Sequence, residues 1–173
     1  MKINKQIQGY ISEMFNTDQE SRQLAVGKSK QLENYLVYAI DMGNNQRIHR
    51  IIDTFGYPTK KNVGTKSLEK FWLSVQHQDF DLVLQEQCLK KCGFAPKQKA
   101  LLTDRILVNQ GKPQIYGTQF YRHSDGKLVT RPIKNFELVE KLRKGVGLES
   151  LKSIEKKMNA RDKMQKIKWD NGR

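Results

Sequence analysis

His77 lies among residue types that could support acid–base chemistry. It is followed by Asp79, by Asp81 at i+4 and by Gln85 at i+8. On one continuous helix, His77, Asp81 and Gln85 would share a face, because residues four apart are neighbours on a helix surface. A carboxylate beside an imidazole fixes its tautomer and stabilises its protonated form, so His77 with Asp79 or Asp81 predicts a general acid or base. The same residues could instead be metal ligands, or form an ordinary hydrogen bond at a helix surface.

Two Asp/Arg pairs could contribute an anion clamp. Asp104 and Arg105 are adjacent, so on a helix they point about 100 degrees apart and need not pair with each other. Asp104 is a catalytic candidate that could also hold an arginine or a backbone donor, and Arg105 offers a planar fork to a carboxylate or phosphate. Asp18 and Arg22 are a second Asp/Arg pair, spaced i,i+4. The competing interpretations are a buried salt bridge for the first pair and a helix-surface pair for the second.

A run of hydrogen-bonding side chains follows Asp104. Gln114, Tyr116 and Thr118 alternate, so on a strand they share one face, while Gln119 takes the other. Gly117 has no side chain and would let a backbone or ligand approach closely. This pattern predicts a substrate-binding wall, or else groups that satisfy buried helix ends or an edge strand.

The charge of the chain favours anionic partners. The net charge is +14, which attracts nucleic acid, phosphorylated metabolites or acidic proteins. Residues 141–173 hold 11 Lys or Arg and 4 Asp or Glu, a net +7 and half of the total. The predicted nucleic-acid contacts in this segment are Lys156, Lys157, Arg161, Lys163, Lys166 and Lys168. A solvated basic face and a different anionic partner are the alternatives.

Length and composition narrow the class of protein. With 173 residues the chain is long enough for one domain with a hydrophobic core. No apolar run approaches the roughly 20 residues of a membrane span, and the first residues do not resemble a secretory signal, so we expect a cytoplasmic protein. The two cysteines, Cys88 and Cys92, lack further ligands for a zinc site, and we predict reduced thiols. No metal or cofactor is predicted.

Hydrophobic periodicity predicts a mainly helical chain with several breaks. A new helix is expected to be capped at Thr17 or Asp18, and residues 41–45 are expected to interrupt the next helix. Residues 56–64 are predicted to form a loop because they contain two glycines and a proline. A long helix is expected from Thr65 or Ser67 to about Cys92, with His77 inside it or at a break in it.

The period changes in the second half of the chain. Residues 113–121 and 127–131 predict a β-hairpin, and Asn135 is expected to cap the helix that follows. The predicted fold is mainly α with a small β-hairpin, as a single compact multi-helix domain over residues 1–158. A basic C-terminal extension is expected over residues 159–173.

The order of these motifs resembles the bacterial family called domain of unknown function 6624, over about residues 10–155. The motifs that carry the resemblance are Asp18-Gln19-x-x-Arg22, Gly56-Tyr57-Pro58, Gly64, Gln76-His77-x-Asp79, Gln85, Leu101-Leu102-Thr103-Asp104-Arg105, Gly111, Gln114-x-Tyr116-Gly117-Thr118-Gln119 and Gly145-Val146-Gly147-Leu148. Tyr57 departs from the family pattern, which usually has Trp there. The resemblance implies a fold and a candidate site without naming a reaction. The basic extension after Met158 lies outside the resemblance, so we expect it to be particular to this protein.

The resemblance also implies that the polar motif residues belong together. These are Asp18, Gln19, Arg22, His77, Asp79, Gln85, Asp104, Arg105, Gln114, Tyr116 and Gln119. The sharper expectation is that the motifs around Asp104 and Tyr116 face His77 across one pocket, with Asp18, Gln19, Arg22, Gln85, Arg105, Gln114, Tyr116, Thr118 and Gln119 binding substrate.

Three functions are compatible with these features. The first is a hydrolase or transferase for a phosphorylated or nucleotide-like substrate, although no nucleophile elbow, P-loop, dinucleotide fingerprint or HExxH motif is present. The second is a nucleic-acid or polyanion-binding module that uses the basic surface. The third is a sensor or toxin–antitoxin-like interaction protein without catalysis.

Overall fold

The computed structural model of the protein describes residues 3–25 and 28–170, with side chains described for all of these except residues 25, 30 and 161–170. Within that part of the chain, seven helices and two strands follow in the order α1 (Lys5–Ala25), α2 (Lys30–Phe55), α3 (Lys60–Gln76), α4 (Leu82–Lys91), α5 (Pro96–Asn109), β1 (Phe120–Arg122), β2 (Leu128–Thr130), α6 (Val139–Gly145) and α7 (Leu151–Asp170). The prediction of a mainly α chain with a small β-hairpin is confirmed.

The chain divides into two compact units. The N-terminal unit is Met1–Ala95 and contains α1 to α4, and the C-terminal unit is Pro96–Arg173 and contains the hairpin and the other helices. The domain boundary predicted at residue 158 stays a prediction. None of the described helices combines the length and the apolar composition needed to cross a bilayer.

The core of the N-terminal unit is built from the apolar faces of its helices. Ile7, Ile11 and Met14 of α1 are buried at the helical spacing that the sequence predicted. They pack with buried residues of α2 and α3, among them Ile48 and Phe71. Fully burying a side chain of this kind stabilises the fold by roughly 1.5–3 kcal/mol.

Three of the predicted helix boundaries are wrong. α1 continues through Asp18, and α2 continues through residues 41–45. A glycine inside a helix costs only about 1 kcal/mol relative to alanine, so Gly43 does not end a helix whose next turn buries Ile48. α3 begins at Lys60, inside the predicted loop, and Gly64 forms a kink there with φ of 76°.

The helix predicted to carry both His77 and Asp81 is two helices. α3 ends at Gln76, and α4 begins at Leu82 with Asp81 as its N-cap, whose Oδ1 accepts the backbone N–H of Leu84 at 2.9 Å. Aspartate is among the preferred N-cap residues, which accounts for the break. Of the two positions predicted for His77, inside the helix or at a break in it, the structure has the break, so His77, Asp81 and Gln85 do not share the face of one helix.

The hairpin of the C-terminal unit is shorter than predicted. β1 and β2 are antiparallel, with Tyr121 opposite Val129. Asn159 of α7 pairs with β2, because its side-chain amide donates to the carbonyl of Leu128 and accepts the N–H of the same residue, both at 2.8 Å. The expected strand over residues 113–121 is wrong before Phe120, where the chain forms a loop.

The helix expected after Asn135 starts later than predicted. Asn135 does accept a hydrogen bond from the N–H of Leu138 at 3.3 Å, but α6 begins at Val139. In the N-terminal unit, Cys88 and Cys92 are buried free thiols, as the sequence predicted. A hydrogen bond that the Cys92 thiol donates to Cys88, together with burial, raises the pKa of Cys92, so this thiol stays protonated.

Candidate functional site

The N-terminal unit contains a charged group centred on one guanidinium, which we call the Arg22 cluster: Asp18, Arg22, Asp41 and His77. α1 places Asp18 and Arg22 one turn apart, so the i,i+4 pair predicted from the sequence forms. Asp41 comes from α2, and His77 directly follows the last residue of α3. Three separate helices thus bring the cluster together.

Arg22 contacts each of the other three residues of the Arg22 cluster. Its Nε and Nη2 lie 3.0 and 2.9 Å from Oδ1 of Asp18. Nη2 also contacts Oδ1 of Asp41 and lies 2.9 Å from Nδ1 of His77. The side chain of Asp18 is 2% exposed, whereas those of Arg22 and His77 are 26% and 19% exposed. A solute can therefore reach the arginine and the histidine, with the aspartate beneath them.

A count of hydrogens indicates which tautomer His77 adopts. Nε of Arg22 donates to Oδ1 of Asp18, which leaves the two hydrogens of Nη2 for Asp41 and for Nδ1 of His77. A guanidinium nitrogen can only donate, so at 2.9 Å Nδ1 is the acceptor and the neutral ring carries its proton on Nε2. In the imidazolium form, Nδ1 would instead direct its own proton to Oδ2 of Asp18, 3.4 Å away. Among the described residues Nε2 makes no hydrogen bond, so its N–H is available to a ligand.

The two carboxylates of the cluster differ in their electrostatics. Burial raises the pKa of Asp18, but the hydrogen bonds and positive charges of His77 and Arg22 outweigh it and hold this pKa at about 2. Burial also raises the pKa of Asp41, and there the attraction of Arg22 and His77 does not overcome it. Asp18 is therefore a fixed anion near neutral pH, and Asp41 is the more easily protonated of the two.

The geometry of the cluster would also suit a metal ion. Asp18, Asp41 and His77 each offer one ligand atom, and these atoms lie within 4.8 Å of one another. Carboxylate oxygen and imidazole nitrogen are common ligands of divalent transition metals. However, Nη2 of Arg22 contacts all three residues and already supplies a cation between them. A metal would have to displace Arg22, so the guanidinium is the cation of this site.

Asp81, a predicted catalytic residue, belongs to a different polar group at the start of α4. Its Oδ2 accepts the side-chain amide of Asn45 at 3.0 Å and contacts Nε2 of His49 at 2.9 Å. Burial raises the pKa of Asp81, but these two bonds and the N–H of Leu84 lower it overall. The carboxylate that reaches Nδ1 of His77 is that of Asp18. Asp79 is exposed, and its catalytic role stays a prediction.

Two glutamines of the predicted site lie close to the Arg22 cluster. Gln19 donates to Oδ2 of Asp18 at 2.7 Å and so helps to hold that carboxylate. Gln85 is fully buried and donates to the carbonyls of Val75 and Gln76 at 3.2 and 3.4 Å. These carbonyls belong to the last turn of α3, where a helix leaves acceptors unpaired. Gln85 thereby fixes the helix end that carries His77, and its predicted substrate contact stays a prediction.

In the C-terminal unit, Asp104 organises the loop over residues 114–119. It is 0% exposed. Its Oδ1 accepts the backbone N–H groups of Ile115 and Tyr116 at 2.8 and 3.0 Å. Its Oδ2 accepts the N–H of Tyr116 at 3.1 Å and both the N–H and the hydroxyl of Thr118 at 3.0 and 2.9 Å. These five bonds satisfy a buried charge and fix the path of the loop.

Arg143 binds the same loop with the opposite charge, through the carbonyl groups of the loop. It is 2% exposed, and its Nη1 donates to the carbonyls of Tyr116 and Gly117 at 2.6 and 3.0 Å. Its Nε donates to the carbonyl of Glu149 at 2.6 Å. Burial lowers the pKa of Arg143, although nearby carboxylates including Asp104 oppose this shift. The loop therefore lies between a buried anion that binds its N–H groups and a buried cation that binds its carbonyls.

Gln114 closes the loop. Its side-chain amide donates to the carbonyls of Gln119 and Arg131 at 3.0 and 2.8 Å, and its Oε1 accepts the N–H of Gln119 at 2.9 Å. The side chain of Gln119 donates to the hydroxyl of Thr118 at 3.2 Å. The contacts of these residues thus match one of the two interpretations of the sequence, groups that satisfy internal backbone.

The remaining predicted residues are distributed over the C-terminal unit. Arg105 is half-buried on α5 and takes part in interactions of its own. Lys156 and Lys157 of α7 are exposed, and Lys157 contacts Glu149. The side chains of Arg161, Lys163, Lys166 and Lys168 lie outside the described ones. The expectation that the motifs of both units share one pocket stays a prediction.

Sequence reasoning missed Asp41 and Arg143. Asp41 was placed in a helix break, but Asp41, Asn45 and His49 recur every four residues, and this polar stripe was a signal that α2 continues. Arg143 was counted only as part of the basic segment, and an arginine among lysines was its one distinguishing feature. A cavity of about 350 Å³, lined in part by Arg47 and Arg50, was also missed.

Comparison with known proteins places the chain in a family. The model of a family of unknown function, DUF6624, matches residues 6–167. The basic C-terminal extension, residues 159–173, was expected to lie outside the family. The match extends past residue 158, so this expectation was wrong for residues 159–167. No curated protein and no solved structure matches the sequence. Because the family model covers nearly the whole sequence, the chain belongs to the DUF6624 family, a family of unknown function.

Proposed function

We propose that this protein is an enzyme, a hydrolase or group transferase, and that His77 is its general acid or base. The observation that carries this proposal is the Arg22 cluster, in which a part-exposed imidazole rests on a buried carboxylate whose pKa is about 2. Because Nδ1 faces Arg22 and Asp18, Nε2 is left to exchange a proton with a substrate or a water molecule.

The charge of the cluster suits an acid–base role for His77. Two carboxylates face one guanidinium, so the cluster has a net charge of −1 with a neutral imidazole and of zero with an imidazolium. A positive charge on the ring is therefore compensated within the cluster when Nε2 exchanges its proton. In a site that is only partly open to water, this compensation is stronger than it would be in bulk solvent.

The proposed substrate is a phosphorylated or nucleotide-like compound. Nη1 of Arg22 makes no hydrogen bond among the described residues and can bind a phosphate oxygen beside His77. Lys70 lies on α3 seven residues before His77, about two turns or 10 Å along the helix. It contacts Ser12 and the ring of Phe15 on α1, the helix that also carries Arg22. The two cations could contact a substrate that extends along α1 and α3.

A substrate panel with a matched histidine control tests this proposal. Nucleotides and sugar phosphates are incubated with the full chain, and phosphate release and group transfer are measured. For any reaction found, His77→Gln should lower kcat by about 100-fold or more, as expected for loss of a general acid or base. His123→Gln changes a half-exposed histidine of the hairpin turn and should leave the rate unchanged.

Full activity in a folded His77→Gln protein would overturn the assignment of His77. Folding is checked by circular dichroism, which should be the same for both variants. The absence of turnover with every phosphorylated compound would favour the non-catalytic sensor or interaction protein that the sequence also allowed.

A nucleic-acid-binding role is a second candidate, favoured by α7. This helix runs over 20 residues and contains seven Lys or Arg against three Asp or Glu, a net +4. Replacing Arg161, Lys163, Lys166 and Lys168 by Gln in the full chain should weaken retention on DNA or RNA. It should also reduce the salt dependence of binding by nearly one unit of log–log slope for each lost phosphate contact. Binding that is insensitive to salt would exclude this role.

A further inference from the structure

We propose that the C-terminal unit contains a binding site for a small amphipathic anion, a carboxylate with an apolar body, and that Tyr116 and Lys141 bind its charged end. The site is a cavity of about 380 Å³ lined by Tyr116, Leu138, Lys141, Leu142, Gly145 and Val146. This volume lies within the range of about 300–1,000 Å³ that is usual for small-molecule pockets.

The walls of this cavity are apolar. Leu138, Leu142 and Val146 come from α6 and the residues on either side of it. Leu138 is 47% exposed, so much of its side chain can contact a ligand in the cavity. Gly145 adds no side chain, and a Cβ built there would meet nothing within 4 Å, so open space lies beside it. These features favour a ligand with a hydrocarbon body.

The two polar groups of the cavity are unused by the protein. Among the described residues, neither the hydroxyl of Tyr116 nor the ammonium of Lys141 makes a hydrogen bond or an ion pair. A phenol donates one hydrogen bond, and a lysine supplies a single positive charge with several donors. Charge complementarity therefore selects one anionic group, such as a carboxylate.

The loop that presents Tyr116 is fixed before any ligand arrives. The backbone N–H of Tyr116 lies 3.0 and 3.1 Å from the two oxygens of Asp104, and its carbonyl accepts from Arg143. At Gly117 a Cβ would lie 2.9 Å from Ile133 and from Leu151, so the next residue is also held closely. A pre-ordered binding residue loses little entropy on binding. We infer that the polar motifs around Asp104 and Gln114 serve to position Tyr116.

This inference does not depend on the function proposed for His77, which lies in the other unit. It is tested by titrating the full chain with sodium octanoate, with binding followed by isothermal titration calorimetry. Lys141→Gln should weaken octanoate binding about ten-fold, the effect of losing one charge-assisted hydrogen bond. Tyr116→Phe should weaken it several-fold. Lys144→Gln is the matched control, because Lys144 is an exposed lysine on the same helix that does not line the cavity.

Octanamide has the same apolar body as octanoate but no charge, so it tests the contribution of the charged end. It should bind at least ten-fold more weakly than octanoate. Three results would overturn the proposal: no octanoate binding at millimolar concentration, equal binding of octanamide, or equal effects of Lys141→Gln and Lys144→Gln. Loss of activity in His77→Gln with octanoate binding retained would show that the two sites are separate.

Discussion

Replacing Asp104 by asparagine should destabilise the C-terminal unit far more than a single-atom change usually does. The carboxylate accepts five hydrogen bonds, distributed over both oxygens. Asparagine keeps one acceptor oxygen and turns an NH₂ group toward donors that need an acceptor. If the amide oxygen takes the place of Oδ2, the N–H of Ile115 loses its partner. In the opposite orientation, the N–H of Thr118 does.

The cost follows from the burial of these groups. One buried N–H without a partner costs about 1–3 kcal/mol, and the bonds that remain lose the strength added by the charge. Arg143 also loses the attraction of a nearby anion, which opposes the effect of burial on its pKa. Together these effects predict a loss of about 3 kcal/mol in the unfolding free energy of this unit.

Hydrogen exchange is the assay that reports this loss locally. The amides of Ile115, Tyr116 and Thr118 should exchange about a hundred-fold faster in Asp104→Asn, since each 1.4 kcal/mol corresponds to a factor of ten. Urea unfolding followed by circular dichroism gives the global value. Asp125→Asn, which changes an exposed carboxylate of the hairpin turn, is the control and should leave both measurements unchanged. Equal exchange in Asp104→Asn and in the parent protein would refute the role assigned to Asp104.

Two further predictions concern Gly117 and Asp18. Gly117→Ala should lower the unfolding free energy by about 1–3 kcal/mol because of its φ of 68°, and by more because a Cβ there would lie 2.9 Å from its neighbours. Gly126→Ala is the control, since Gly126 has φ of 83° and no neighbour within 4 Å, and it should show the conformational cost alone. Urea unfolding measures both losses. A Gly117→Ala protein no less stable than Gly126→Ala would contradict the close approach described for this loop. The pKa of Asp18 is about 2 in the folded state and 3.8 for an ordinary aspartate, so ionised Asp18 contributes about 2 kcal/mol to the unfolding free energy. This contribution is complete above pH 3.8 and is lost as the pH falls toward about 2. The unfolding free energy of Asp18→Asn should therefore fall less steeply over this pH range, and an unchanged slope would argue against a salt-bridged Asp18.

Much of the fold could be predicted from local patterns. The buried face of α1, with Ile7, Ile11 and Met14, follows from helical spacing, and the start of α5 follows from Pro96, which suits the first turn of a helix. The hairpin follows from the turn residues around Gly126. These features depend on a few neighbouring residues, so they can be read without knowing the rest of the structure.

The errors arose where contacts distant in sequence decide the outcome. Residues 41–45 look like a helix break, but the packing of Ile48 keeps α2 continuous. Asp81 looks like a helical partner of His77, but it caps α4 and binds Asn45 and His49. No local pattern indicates that Asp41 joins Asp18 around Arg22, since that contact exists only after three helices have packed.

The same limit applies to the polar motifs of the C-terminal unit. Alternating Gln114, Tyr116 and Thr118 suggested a strand with one binding face, because alternation is the pattern of a strand. Asp104 instead draws their backbone N–H groups into a loop. A buried carboxylate needs several donors, and backbone amides supply them at the expense of strand pairing.

The tautomer of His77 is the most direct test of the proposed acid–base site. The chain has three histidines, so two-dimensional ¹H–¹⁵N spectra of the imidazoles can be assigned with His49→Gln, His77→Gln and His123→Gln. At a pH where the ring is neutral, we predict that Nε2 of His77 carries the proton and that Nδ1 has the shift of an unprotonated nitrogen, because Nδ1 accepts from Arg22. Arg22→Gln should move the proton toward Nδ1, since Asp18 is then the charged neighbour that remains. A His77 that is protonated on Nδ1 in the unmodified protein would contradict this site, because Nδ1 could not accept from Arg22 and Nε2 would have no proton to donate.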